Sequence, residues 1–130
     1  MLDVGVGTGI ATKLLAERGA RVTAVEPGAA MATELRTAHP AIPLVRALGD
    51  ALPFCDDAGF DLVGYAQAWH RTDPARSVPE ELRVLRPGGA LALVERPRPG
   101  TWTGPPNRRP GSPAACRVTT ATAYRRRPLT

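Results

Sequence analysis

The sequence predicts an α/β fold: a doubly wound, mostly parallel sheet of about five strands over residues 1–95, with a disordered tail over residues 96–130. Three observations lead there. Short apolar or β-branched runs alternate with stretches of helical periodicity. A glycine-rich turn joins the first run to the first helix. After residue 95 the composition changes abruptly, with seven prolines, eight arginines and no acid in the remaining 35 positions.

Each element follows from local chemistry. Residues 1–5 (M-L-D-V-G) are an apolar run ending in glycine. Residues 10–18 place Ile10, Leu14 and Leu15 on one helical stripe, with Gly19 as the stop. Residues 21–25 (R-V-T-A-V) are short and β-branched, and residues 29–38 form a helix between Pro27-Gly28 and Pro40. Residues 43–47 make a weak third strand, residues 60–66 (F-D-L-V-G-Y-A) a fourth and residues 90–95 (A-L-A-L-V-E) a fifth. Before the fifth, Ser77-Val78-Pro79-Glu80 matches a capping box, with Pro79 in the first turn where its missing N–H costs nothing. That helix runs to Leu85 or Arg86 and stops at Pro87-Gly88-Gly89. Strands separated by helices of this length imply a parallel sheet.

Composition bounds the function. The chain has 130 residues, enough for one domain, and 43 % are apolar, enough for a core. No stretch approaches the roughly 20 apolar residues that span a bilayer. The first residues lack the basic-then-apolar layout of a secretory signal, and Cys55 and Cys116 make no disulfide framework, so the expected compartment is a reducing cytosol. The formal net charge of +5 is unevenly spread: residues 1–95 sum to −3 and residues 96–130 to +8. Such a tail could neutralise phosphates. It carries no aromatics beyond Trp102 and Tyr124 and no recognisable binding module, which argues against nucleic acid as the partner. Within the tail only residues 116–124 have strand propensity, without an evident partner. Cys55-Asp56-Asp57, with no clustered histidine, is a poor metal ligand set.

The glycine turn is the informative segment. Asp3-Val4-Gly5-Val6-Gly7-Thr8-Gly9 has the spacing G-x-G-x-G preceded by an acid. Dinucleotide sites use G-x-G-x-x-G, and Ile10 stands where that pattern wants Gly or Ala. In this the sequence resembles the class I S-adenosylmethionine-dependent methyltransferases, in particular the ubiquinone and menaquinone biosynthesis and small-molecule methyltransferases. The resemblance covers residues 1–95 and rests on four segments in order: L-D-V-G-V-G-T-G, V-E-P-G-A-A-M (25–31), G-D-A-L-P-F (49–54) and L-R-P-G-G-A-L-A-L-V-E (85–95).

The resemblance implies a Rossmann-like fold, S-adenosylmethionine as cofactor and a small-molecule methyl acceptor. Gly5, Gly7 and Gly9 would pack against the methionine and ribose portion, with Asp3 orienting the ammonium. Glu26, 21 residues after Gly5 and followed by Pro27, would accept from the ribose hydroxyls and repel a 2′-phosphate. Met31 would lie against adenine; Asp50 would accept from its exocyclic amine, with the Ala51 N–H near the ring. The resemblance also implies Pro27 and Gln67 as cofactor contacts; Gln67 lies in A-Q-A-W-H (66–70), which resembles a family segment facing the methyl-transfer pocket, and His70 is a candidate base or acceptor contact there. Arg71-Thr72 replace the aromatics that follow in relatives. Plainer roles exist: Asp3 as a turn residue, Met31 as core, Asp50 as a loop acid, His70 as a structural histidine. Methyl transfer from a sulfonium needs no compulsory catalytic residue.

The family fold has seven strands, so the resemblance also implies an incomplete domain, truncated at both ends. The sequence hypothesis is a truncated or frame-disrupted methyltransferase with an out-of-frame or eroded tail; sequencing the locus tests it, and an intact in-frame tail shared by close relatives would sink it. The rival is a non-catalytic remnant that binds cofactor weakly or not at all. Uncovered sheet surfaces predict self-association.

Overall fold

The computed structural model describes residues 1–54, 59–95 and 117–121. In chain order the elements are β1 (Leu2–Val4), α1 (Ile10–Glu17), β2 (Thr23–Val25), α2 (Ala29–Ala38), β3 (Leu44–Val45), β4 (Phe60–Ala66), α3 (Pro74–Val84), β5 (Leu85–Glu95) and β6 (Arg117–Ala121). A single 3-10 turn, Trp69–Arg71, follows β4. The strands form one sheet in the order β3-β2-β1-β4-β5-β6. The first five strands are mutually parallel and β6 runs antiparallel to β5.

The chain winds outward in one direction from β1 to β3 and in the other from β4 to β5. The reversal leaves a crevice at the carboxyl ends of β1 and β4, where open α/β sheets take their ligands. Both strands are short and apolar enough to be covered on two faces. Leu2, Val4, Val25, Val63 and Tyr65 pack with Leu52, Val84 and Leu91 into one core, joined by Ala68. Among the described residues, no helix is long and apolar enough to cross a membrane.

Four expectations are corrected. The first concerns helix α3, which starts three residues before Ser77. Asp73 caps it, its carboxylate accepting from Ala75 N at 3.0 Å, and Pro74 takes the first helical position. An aspartate followed by proline is the stronger start signal, because both residues suit the terminus. Ser77 is buried inside the helix and donates to the Asp73 carbonyl at 2.8 Å, so Pro79 sits in the helix interior.

The second concerns the helix stop. Residues 86–89 lie within β5: Phe60 pairs with Leu85, and Leu62 already pairs with Ala90. Four residues bulge out of the ladder there, with Gly88 at φ 81°. Third, the apolar stripe of α1 does not face the core. Ile10 is 75 % and Leu14 46 % exposed, and the buried residue of this helix is Thr12. Fourth, Arg117–Ala121 finds a partner in β5, with Leu93 opposite Thr119 and Glu95 opposite Arg117. The rest of the expected disordered tail, and Cys55-Asp56-Asp57, lie outside the described residues.

Candidate cofactor and acceptor site

The turn after β1 is held from three sides. Gly5 (φ 71°), Gly7 (φ 57°) and Gly9 (φ 87°) all adopt the left-handed region that disfavours side chains. Two of the three are also sterically fixed. A Cβ on Gly5 would stand 2.6 Å from the Ala68 Cβ, and one on Gly9 would stand 2.7 Å from Leu35 Cδ1. Gly5 thus lets the segment after β4 close onto the turn, and Gly9 lets α2 do so. A Cβ on Gly7 meets nothing within 4 Å, because that position faces open space.

Four N–H groups of this turn are occupied inside the fold. Gly5 N and Val6 N donate to the Val25 carbonyl at 2.8 and 3.2 Å, and Gly9 N donates to the Val6 carbonyl at 3.0 Å. Gly7 N donates to Glu26 Oε2 at 2.8 Å. Glu26 Oε1 meanwhile accepts from Gly28 N at 2.7 Å. A carboxylate at the end of β2 therefore clamps two loops, and it is only 7 % exposed. Each of its oxygens keeps a second lone pair for a ligand hydroxyl.

Asp3 is 2 % exposed, and its Oδ2 accepts from Thr12 Oγ1 at 2.8 Å. Burial pushes its carboxyl above the ordinary value, while the Thr12 hydroxyl pulls the other way. A cation nearby would offset that burial.

These groups open onto a cleft of about 810 Å³ at the carboxyl ends of β1 and β4. Its size suits a small-molecule ligand. Asp3, Gly5, Gly7, Glu26, Pro27, Met31 and Gln67 all line it, seven of the ten residues expected to bind cofactor. Gly9, Asp50 and Ala51 do not. Gly9 acts through its packing on α2. Ala51 N donates to the Leu48 carbonyl at 3.2 Å, while Asp50 faces Arg76 at 3.4 Å and keeps one buried oxygen, Oδ1, without a partner among the described residues. In their place Leu48 and Gly49 line the cleft. The exposed apolar side chains Ile10, Met31 and Leu48 stand on its walls, surface suited to a flat apolar ring.

The loop carrying Asp50 is fixed to α3. Leu52 N donates to Glu80 Oε2 at 2.8 Å, and Arg83 bonds both Glu80 and the Leu52 carbonyl. The Arg83 hydrogen bond holds the Glu80 carboxyl below its ordinary value. Beneath the loop, Tyr65 donates a hydrogen bond to Glu81 Oε1. Glu81 is fully buried, and burial pushes its carboxyl up to about 8. Burial, reinforced by the Glu81 charge, raises the Tyr65 hydroxyl as well. A Cβ on Gly49 would overlap the Tyr65 hydroxyl, so this glycine is needed for the loop to lie on the tyrosine.

The wall after β4 is strained. Gln67 has φ 58°, which no other described non-glycine residue shares. Gln67 N donates to the Val94 carbonyl at 2.7 Å, which ties the residue to β5. Trp69 packs edge-on against Tyr65 with ring centres 5.0 Å apart, and its N–H donates to Glu95 Oε1 at 3.1 Å. His70 does not line the cleft; its Nδ1 lies 3.4 Å from Glu95 Oε2. Arg71 and Thr72 do line it. Thr12, Glu81 and Glu95 were invisible in the sequence as site-supporting residues, because each acts on a partner at least nine positions away.

Sheet order, crevice position and an acid-flanked glycine turn define the class: a doubly wound α/β domain whose cleft lies where the strand order reverses. Residues 2–93 match the family model described as a methyltransferase domain, and the chain belongs to that family. An uncharacterized methyltransferase of Mycobacterium tuberculosis is 49 % identical over 94 residues, which cover 72 % of this chain and 38 % of that protein. One from Synechocystis is 35 % identical over 105 residues, covering 78 % and 49 %. Among solved structures, an S-adenosylmethionine-dependent methyltransferase of Mesorhizobium loti superposes with a TM-score of 0.64 at 29 % identity, over 73 % of this chain and 45 % of that one. The chain thus spans less than half the length of these relatives.

Proposed function

We propose that the cleft binds S-adenosylmethionine and presents its methyl group to a small-molecule acceptor seated against residues 67–72. The observation that carries this reading is the occupancy of the glycine turn. Gly5, Val6, Gly7 and Gly9 each donate within the fold, so their N–H groups are unavailable to cradle a pyrophosphate. Two buried carboxylates, Asp3 and Glu26, line the same cleft and suit a ligand carrying an ammonium and ribose hydroxyls.

When bound, the cofactor supplies a methyl group already activated on a sulfonium. The chain's own residues bind and orient. Glu26 accepts from the ribose hydroxyls through its unoccupied lone pairs, Asp3 faces the ammonium, and Ile10, Met31 and Leu48 offer apolar contact to the adenine. Catalysis then rests on alignment and exclusion of water. His70, held by Glu95 outside the lining, is assigned no proton transfer.

Calorimetry on the 130-residue chain tests the reading. S-adenosylhomocysteine is expected to give a saturable isotherm and NADH none. Saturable NADH binding with no response to either adenosyl sulfur compound would overturn it.

A further inference from the structure

The cleft has a second polarity that the two carboxylates do not serve. Arg71 is the one cationic side chain lining it among the described residues. The turn that carries it is pinned: Arg71 N donates to the Ala68 carbonyl at 3.1 Å, Thr72 N to the Trp69 carbonyl at 3.0 Å, and Trp69 N to Glu95. Ala68 in turn packs where a Gly5 side chain would stand. The Arg71 backbone is therefore fixed against the glycine turn. Its guanidinium is different, because among the described residues it has no hydrogen bond and no ion pair.

The carboxylates of the cleft do not neutralise it. Asp3 is paired with Thr12, and Glu26 with Gly7 and Gly28. Four N–H groups of the glycine turn, those of Gly5, Val6, Gly7 and Gly9, already donate within the fold and are not offered to an anion. A ligand carboxylate entering this cleft meets two negative side chains and one full positive charge. Guanidinium binds carboxylate in a planar two-point fork.

We propose that Arg71 is a carboxylate-binding residue of the cleft, which rests on the cofactor reading above. The carboxylate has two possible sources with the same chemistry: the amino-acid end of the cofactor, or an acidic methyl acceptor.

The test compares wild type with R71Q and R71K by calorimetry. The first arm uses S-adenosylhomocysteine and 5′-methylthioadenosine, which share the adenosyl thioether and differ in the amino-acid end. The second arm titrates benzoate and succinate into protein saturated with S-adenosylhomocysteine. If the cofactor supplies the carboxylate, R71Q weakens S-adenosylhomocysteine roughly ten- to hundredfold, leaves 5′-methylthioadenosine unchanged, and R71K recovers part of the loss. If the acceptor supplies it, R71Q binds S-adenosylhomocysteine normally but loses benzoate or succinate binding that wild type shows. R71Q matching wild type in both arms overturns the proposal and leaves the cofactor reading standing. Wild type that binds neither adenosyl compound overturns the cofactor reading itself, and this one with it.

Discussion

The ends of β1 and β4 lie side by side in the sheet, yet they treat their polar groups differently. At the end of β1 nearly every donor is engaged: the turn's N–H groups reach Val25, Val6 and Glu26, and Asp3 holds Thr12. At the end of β4 the backbone is anchored but strained at Gln67, and the Arg71 side chain has no partner among the described residues. A closed region of this kind fixes a shape. An open one is where ligand chemistry can vary without disturbing the fold.

The contrast can be broken most forcefully at Glu26. Glu26→Ala leaves the Gly7 and Gly28 N–H groups without their acceptor. We expect a loss of about 2–4 kcal/mol in stability and about a hundredfold in S-adenosylhomocysteine affinity, read by urea unfolding and calorimetry.

Next comes the seam between the two regions. Gly5→Ala meets both a positive φ and the Ala68 Cβ, whereas Gly7→Ala meets only the positive φ. The first is expected to cost about 2–4 kcal/mol and the second about 1–2 kcal/mol in urea unfolding. Equal costs would mean that the β4 segment does not close on the turn.

A third effect depends on pH. Glu81 keeps its proton to about 8 in the fold, against an ordinary 4.5. Its contribution is therefore whole below 4.5 and is lost as pH rises through about 8. The melting temperature should fall by roughly 5 °C between pH 6 and pH 9. Glu81→Gln, which keeps an acceptor for Tyr65 and cannot ionise, should flatten that slope. An unchanged slope would place the titrating group elsewhere.

The smallest effect sharpens the β1 side. Thr12→Val removes the only side-chain partner of Asp3 among the described residues and should cost about 1 kcal/mol in urea unfolding. The Asp3 carboxyl should move further up, an NMR titration being the readout, because burial would then act without the opposing hydrogen bond.

Much of this was legible in the sequence where a signal is local. The bounds of α2 and β4 follow from flanking Pro and Gly and from a continuous apolar run. The glycine turn stands out by spacing, and Glu26 and Met31 by the resemblance of residues 25–31 to a family segment. What escaped depends on distant partners. The Thr12 hydroxyl is needed by Asp3, so α1 turns Thr12 inward and leaves Ile10 and Leu14 exposed, against the periodicity. Glu81 reads as a solvated helix acid until Tyr65 is found against it. The start of α3 was misplaced because Ser77 and Glu80 have cap spacing, while their real partners are Asp73 and the Leu52–Arg83 network. A bare fifth-strand edge was expected, but nothing local in residues 117–121 says that they are the strand that pairs with it.

Amide chemical-shift mapping during titration with S-adenosylhomocysteine tests the central claim most directly. The account predicts the largest shifts in residues 5–12, 26–31 and 65–72, around the cleft at the carboxyl ends of β1 and β4. A second cleft of similar volume, about 820 Å³ and lined by Val22, Ala41, Pro43 and Phe60 among others, should stay silent. Shifts concentrated there, or none anywhere at saturating ligand, would contradict the account.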